Sequence, residues 1–201
     1  MKEKIKLAVQ EHKLKVILVA VVLAIILGIG LVSLNRYPIA TVNGSSISAS
    51  RFWRNYQGAV RYYENAKKTL PTEQVPTSTP SSLEIQAEVL NQLVEAELVS
   101  QGAEREVGRD LDFLVQNKIS HYENNQSLAQ AASTLYGMTY QEFRDEVMIP
   151  QAEKEILVGR FYMSGDNFDD WFAELKKSAS VSIFSKGFRW DGNRVIANNA
   201  N

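Results

Sequence analysis

Residues 16–34 read Val-Ile-Leu-Val-Ala-Val-Val-Leu-Ala-Ile-Ile-Leu-Gly-Ile-Gly-Leu-Val-Ser-Leu, with no charge among them. A helix rises about 1.5 Å per residue, so the run is long enough to cross the roughly 30 Å hydrocarbon core of a bilayer. As a core helix, apolar on all sides, it would need protein around every face. As a cleaved leader it is too long, since secretory apolar regions run about 7–15 residues and end in a small-x-small site. Leu31-Val32-Ser33 is a poor version of that site, and no cysteine offers a lipid attachment point. The reading is an uncleaved transmembrane anchor over residues 16–35. Lys2, Lys4, Lys6, Lys13 and Lys15 precede it and only Arg36 closely follows. The positive-inside rule then places residues 1–15 in the cytoplasm and the remainder on the extracytoplasmic side of a bacterial inner membrane, in a single pass.

What remains, residues 37–201, is long enough for one domain with a core. The expected division is a helical domain over 37–190 and a flexible tail over 191–201. The formal charge of the whole chain is −1, and the tail holds five lysines against Glu3 and Glu11, so the rest is mildly acidic. It shows no basic stripe that could track phosphates, which argues against nucleic acid as a partner. With no cysteine, stability must come from packing rather than disulfides.

Residues 38–43 alternate weakly and close on Asn43-Gly44, a turn pair, so they read as a short strand. Ser48 or Ser50 can cap the helix that follows. Its apolar stripe is Phe52, Tyr56, Val60 and Tyr63, and it should end near Leu70. Pro71, Pro76 and Pro80 make the next stretch a mobile loop. Ser81 to Glu84 spell a capping box for a long helix that Gly108 ends. Asp110 can cap the next helix, carrying Phe113, Leu114 and Tyr122. After a polar break at 123–126 comes a short helix ending at Gly137. Thr139 to Glu142 are a second capping box, and Pro150 should kink or divide the helix behind it. Asp166 can cap a last helix bearing Phe168, Trp171, Phe172 and Leu175, and residues 181–185 alternate as a strand. The chain therefore reads as mainly α, with two short strands that pair because a lone strand is marginal.

Motifs for chemistry are sparse. Of the two histidines, His12 lies in the tail and His121 sits at a helix end, so neither a metal pair nor a catalytic dyad forms outside. Glu104, Glu106, Asp110 and Asp112 read as solvated charge, and Asp169 and Asp170 as first-turn residues favoured by the helix dipole. No Gly-rich loop with Lys and Ser/Thr is present, so a nucleotide has no site. The expectation is a chain with no cofactor, no metal and no catalytic residue. The aromatics carry more: Phe52, Tyr56 and Tyr63 share one helix side, while Trp53 and Tyr62 point elsewhere. They are either core and incidental surface or part of a surface that grips apolar peptide. Trp53, Tyr56, Tyr62 and Tyr63 are the candidate peptide contacts.

Four stretches together resemble the N-terminal domain of the SurA/PrsA/PpiD family of extracytoplasmic chaperones. They are Ile39-Ala-Thr-Val-Asn-Gly-Ser-Ser-Ile-Ser48 followed by Phe52; Leu90-Asn-Gln-Leu-Val-Glu-Ala-Glu-Leu98; Tyr136-Gly-Met-Thr-Tyr-Gln-Glu-Phe-Arg144; and the helix and strand from Phe168. With the transmembrane helix read above, the resemblance implies that a SurA N-like helical domain follows it, with a small two-stranded sheet pairing its start and end. It also implies ATP-independent binding of unfolded or newly translocated polypeptides. Many members insert a parvulin isomerase domain before the closing helix, and here only residues 157–167 lie between those pieces, so prolyl isomerase activity is not expected. The alternatives are a non-catalytic membrane scaffold for one folded partner, or a protein carrying an isomerase name by homology without an active isomerase domain.

Overall fold

The computed structural model describes residues 37–69, 80–122 and 125–198. The expected anchor at 16–35 and all but Pro80 of the expected Pro-rich loop lie outside the described residues. Among the described residues no helix is long and apolar enough to cross a membrane. The residues from Pro38 onward form one compact unit.

Strand β1 (Pro38–Val42) turns at Asn43 (φ 51°) and Gly44 (φ 90°) into β2 (Ser45–Ser48). Both central residues have positive φ, the geometry that matches strand twist and favours Asn-Gly. The turn fixes the pairs Val42 with Ser45 and Thr41 with Ser46. The expected pairing of the two bracketing strands is present: β3 (Val181–Ile183) runs antiparallel to β1, with Ala40 opposite Ile183. Asn43 fastens it from the turn, its Oδ1 accepting from the Ser180 N–H at 2.9 Å. The sheet has three strands in the order β2-β1-β3, not the two expected. Residues 45–48 supply the third strand, although three serines in four residues give it little strand signal of its own.

Residues 191–198 are not a flexible tail. Strand β4 (Phe188–Trp190) pairs with β5 (Val195–Ala197), with Phe188 opposite Ala197. Asp191 caps the turn, its Oδ1 accepting from the N–H groups of Asn193 and Arg194 at 2.8 Å each. Val195 is buried, and its N–H donates to Asn91 Oδ1 at 2.9 Å.

Helix α1 (Ala49–Thr69) starts where Ser48 Oγ accepts from the Arg51 N–H. Its expected stripe is the inner face: Phe52 is buried, and Tyr56, Val60 and Tyr63 pack beside it. Helix α2 (Ser82–Val107) opens on the expected capping box, the Ser81 N–H donating to Glu84 Oε2 at 2.7 Å and Ser81 Oγ accepting from the Glu84 N–H. Helix α3 (Leu111–Ser120) follows a single 3-10 turn, Gly108–Asp110; Asp110 is helical there and its side chain caps nothing. Leu111, Val115 and Ile119 form its buried face, while Phe113, Leu114 and Tyr122 are exposed.

Asn125 caps α4 (Gln126–Ala131), which widens into a π turn (Ala132–Tyr136) and stops at Gly137. The Thr139 capping box starts α5 (Tyr140–Phe143), a second π turn (Arg144–Met148) follows, and α6 (Ile149–Ser164) begins with Pro150 in its first turn. Pro150 has no N–H to give back and its ring crowds the preceding turn. The register widens just ahead of it, as such insertions do. Helix α7 (Phe168–Ser178) is capped by Asn167, not Asp166: Asn167 Oδ1 accepts from the Asp169 and Asp170 N–H groups, while Asp166 accepts from Ser164 Oγ.

Helix α2 is the spine, because its two halves bury into different cores. Leu90, Leu93, Val94 and Leu98 join the sheet, α1 and the β4–β5 hairpin. Val99 and Ala103 join α3, α6 and Phe168. Fully burying a leucine of this kind is worth about 1.5–3 kcal/mol. Trp171 and Phe172 pack against both cores and bind them into one structure. Gly102 is the reason Trp171 fits: a Cβ there would lie 2.5 Å from Trp171 Cη2.

Candidate functional site

Helices α1 and α2 do not close on each other along their full length. A groove of about 590 Å³ opens between them, the segment around Tyr136 and the start of α6. That size falls within the range of ligand-binding pockets. Its α2 wall is a stripe of Ile85, Val89, Leu93, Ala96 and Val99 edged by Glu88, Gln92 and Glu95. Opposite stand Tyr62 and Tyr63 of α1, Tyr136, Met138, Val147 and Pro150.

The Tyr62 and Tyr136 rings stack at 5.4 Å with 7° between their planes. Burial, and secondarily the neighbouring Tyr62, push the Tyr136 phenol above its ordinary value, so this phenol stays protonated at neutral pH. Gly58 lets α1 approach this segment, since a Cβ there would lie 3.0 Å from Met138 Cε. Nearby, Asn65 Nδ2 donates to the Thr134 carbonyl at 2.9 Å.

Charge fixes the same two walls lower down. The Glu146 carboxylate, almost wholly buried, takes Arg51 Nε at 2.7 Å and Arg54 Nη2 at 3.0 Å. Arg54 also reaches Glu142 at 3.3 Å. A carboxylate this enclosed needs such partners, and removing one would strand a charge. Three amides edge the groove. Asn55 Nδ2 donates to the Arg51 carbonyl, Gln92 Nε2 to Glu88 and Gln151 Nε2 to Glu155. Among the described residues each amide oxygen has no donor of its own and is free to accept a hydrogen bond.

Of the expected contacts, Tyr62 and Tyr63 line this groove and Trp53 and Tyr56 do not. Trp53 and Tyr56 gather on Phe52 at 5.1 and 6.4 Å, and the Tyr56 hydroxyl shares a hydrogen bond with Ser82 Oγ at 2.8 Å. Sequence reading missed Tyr136, Met138, Pro150 and Phe172. The signal available for Tyr136 was its place directly before Gly137, where a helix must stop and its last side chain is free to face a neighbour. His121 is exposed, its Nδ1 3.1 Å from the Asn117 carbonyl.

Behind the groove, Glu153 of α6 is buried against α2, 8% exposed, with Ser100 Oγ donating to it at 3.2 Å. Burial raises its pKa above the ordinary 4.5; the Ser100 bond opposes this and the carboxylates of Glu104, Glu97 and Asp112 add to the rise. The folded state therefore holds this proton more tightly than the unfolded chain. The stabilisation is full at low pH and is lost as pH rises through the folded value. Glu153→Gln should raise the thermal midpoint by about 3 °C at neutral pH. The gain should fade toward the ordinary glutamate value, where both side chains are neutral. A paired thermal titration checks this; a lower midpoint for the variant at neutral pH would contradict it.

A family model described as the SurA-like N-terminal domain matches residues 1–148. No curated protein and no solved structure matches the chain. The matched span takes in the Tyr62–Tyr136 stack and ends with the second π turn, just before Pro150.

Proposed function

The chain belongs to the family of SurA-like N-terminal domains, and from that premise we propose that it is an ATP-independent chaperone for unfolded or newly translocated polypeptides. The observation that carries this reading is the aromatic-walled groove between α1 and α2. Its walls suit apolar side chains and its amides suit any backbone, the combination a sequence-tolerant binder needs. Release without ATP calls for weak binding, in the low micromolar range or about −8 kcal/mol. The protein acts by binding, with no catalytic residue and no cofactor.

In the same proposal, residues 16–35 anchor the chain in a bacterial cell membrane, with residues 1–15 in the cytoplasm and 37–201 outside. The charge-free run and its lysine-rich flank support this. Only residues 36 and 37 then separate the anchor from β1, a short tether for the domain.

The full chain in phospholipid vesicles should suppress aggregation of a chemically denatured enzyme without nucleotide, at about equimolar ratio, and should remain in the pellet after alkaline carbonate. Unchanged aggregation at several-fold excess would count against the chaperone. Recovery in the supernatant would count against the anchor. A second reading, a scaffold for one folded partner, draws on Phe113, Tyr162 and Met163, which are 70%, 84% and 82% exposed. A scaffold would bind its partner and ignore unrelated unfolded chains.

A further inference from the structure

A second hollow, of about 320 Å³, lies on the other side of α6, lined by Ile119, Tyr122, Leu128, Phe143 and Met148. It is continuous with the groove in two ways. Val147 and Gln151, on successive turns, line both. The aromatic row also carries across: Tyr62 stacks on Tyr136, and Tyr136 meets Phe143 at 5.6 Å, so the last ring of the groove touches the first of the hollow.

Most charges on the two cavities answer one another, and at the groove Glu88 and Lys154 have no ion-pair partner among the described residues. At the hollow, Lys118 and Glu155 pair at 2.7 Å. In the groove, Glu146 is held by two arginines, and Glu95 meets Lys176 at 3.4 Å. The ridge of Val147 and Gln151 lies between the two basins, and an extended strand advances about 3.3 Å per residue, so three residues cover roughly 10 Å. Crossing the ridge takes about three residues.

We propose that the hollow is a second subsite for the same bound polypeptide. Resting on the groove reading above, it defines the client as an extended segment with two apolar clusters about three residues apart. One cluster fills the groove beside Tyr62 and Tyr136. The spacer crosses Val147, where Gln151 can bond its backbone. The other cluster enters the hollow against Leu128 and Tyr122. A client with one cluster uses only the groove, so affinity grades with spacing rather than with a fixed sequence.

The test compares two fluorescein-labelled peptides on the full chain in lipid nanodiscs, with empty discs subtracted. The short one is a leucine-valine-phenylalanine block. The long one joins that block through three serines to a leucine-phenylalanine pair. The long peptide should bind about ten-fold tighter, as a second apolar cluster leaves water. Leu128→Ser, and separately the exposed Tyr122→Ser, should reduce its affinity to that of the short peptide and leave the short peptide unchanged. Equal affinities in the unaltered chain, or variants that weaken both peptides alike, overturn the second subsite alone. Failure of both peptides to bind overturns the groove reading and the subsite with it. A dimer abolished by Tyr122→Ser would mean that a second copy fills the hollow, and would likewise overturn the proposal.

Discussion

Gly102→Leu is expected to lower the thermal midpoint by roughly 10 °C, from an overpacking cost of about 3 kcal/mol. Glycine inside a helix costs about 1 kcal/mol relative to alanine, so its presence in the middle of α2 needs a packing reason. The reason is Trp171. A Cβ on residue 102 would lie 2.5 Å from its Cη2 and 3.0 Å from its Cζ2. The ring cannot swing away, because Phe161, Phe168 and Phe172 surround it at 4.9, 5.6 and 6.4 Å. Strain here should spread into both cores, because Trp171 packs against each. Even Gly102→Ala, which improves helix propensity, should destabilise, and Trp171→Phe beside it should restore part of the loss. Thermal unfolding followed by circular dichroism checks this. A variant as stable as the parent would mean that the two cores are not joined through this contact.

Ala96→Arg should lower the capacity to hold unfolded clients about ten-fold while leaving the fold intact. Ala96 lies on the α2 wall of the groove, and arginine is nearly as good a helix former as alanine. Its stem can run along the apolar wall with the guanidinium reaching water, so the cost to folding is small. The groove itself would be filled, and apolar side chains would meet a charge. Aggregation suppression and the thermal midpoint, read on the same preparation, separate the two effects. Lost suppression with an unchanged midpoint supports the groove, and unchanged suppression places client binding elsewhere.

What could be read from the residues follows how local each signal is. Asn43-Gly44 and the two capping boxes at Ser81 and Thr139 are self-contained, and each marks its turn or helix start as observed. Pro150 likewise disturbs a helix through its own missing N–H. Competing neighbours defeat such reasoning: Asp166 and Asn167 both can cap, and only the backbone entering α7 selects Asn167. The β4–β5 hairpin escaped because each strand has three residues and depends on burying Phe188 and Val195 against distant parts of the chain. The groove was half legible for the same reason. The stripe on α1 separates its faces, but Tyr62 and Tyr63 reach the groove, and Trp53 does not, because Tyr136 and Met138 arrive from far along the sequence.

The central claim is that unfolded polypeptide lies in the groove between α1 and α2. It is tested most directly by a photo-crosslinking phenylalanine analogue placed at Gln92, an exposed position on the groove, and in a second protein at Tyr162, which is 84% exposed and outside it. With a denatured client present, illumination should yield the client adduct from position 92 and little or none from position 162. Equal capture at both positions, or capture at 162 alone, would contradict the account.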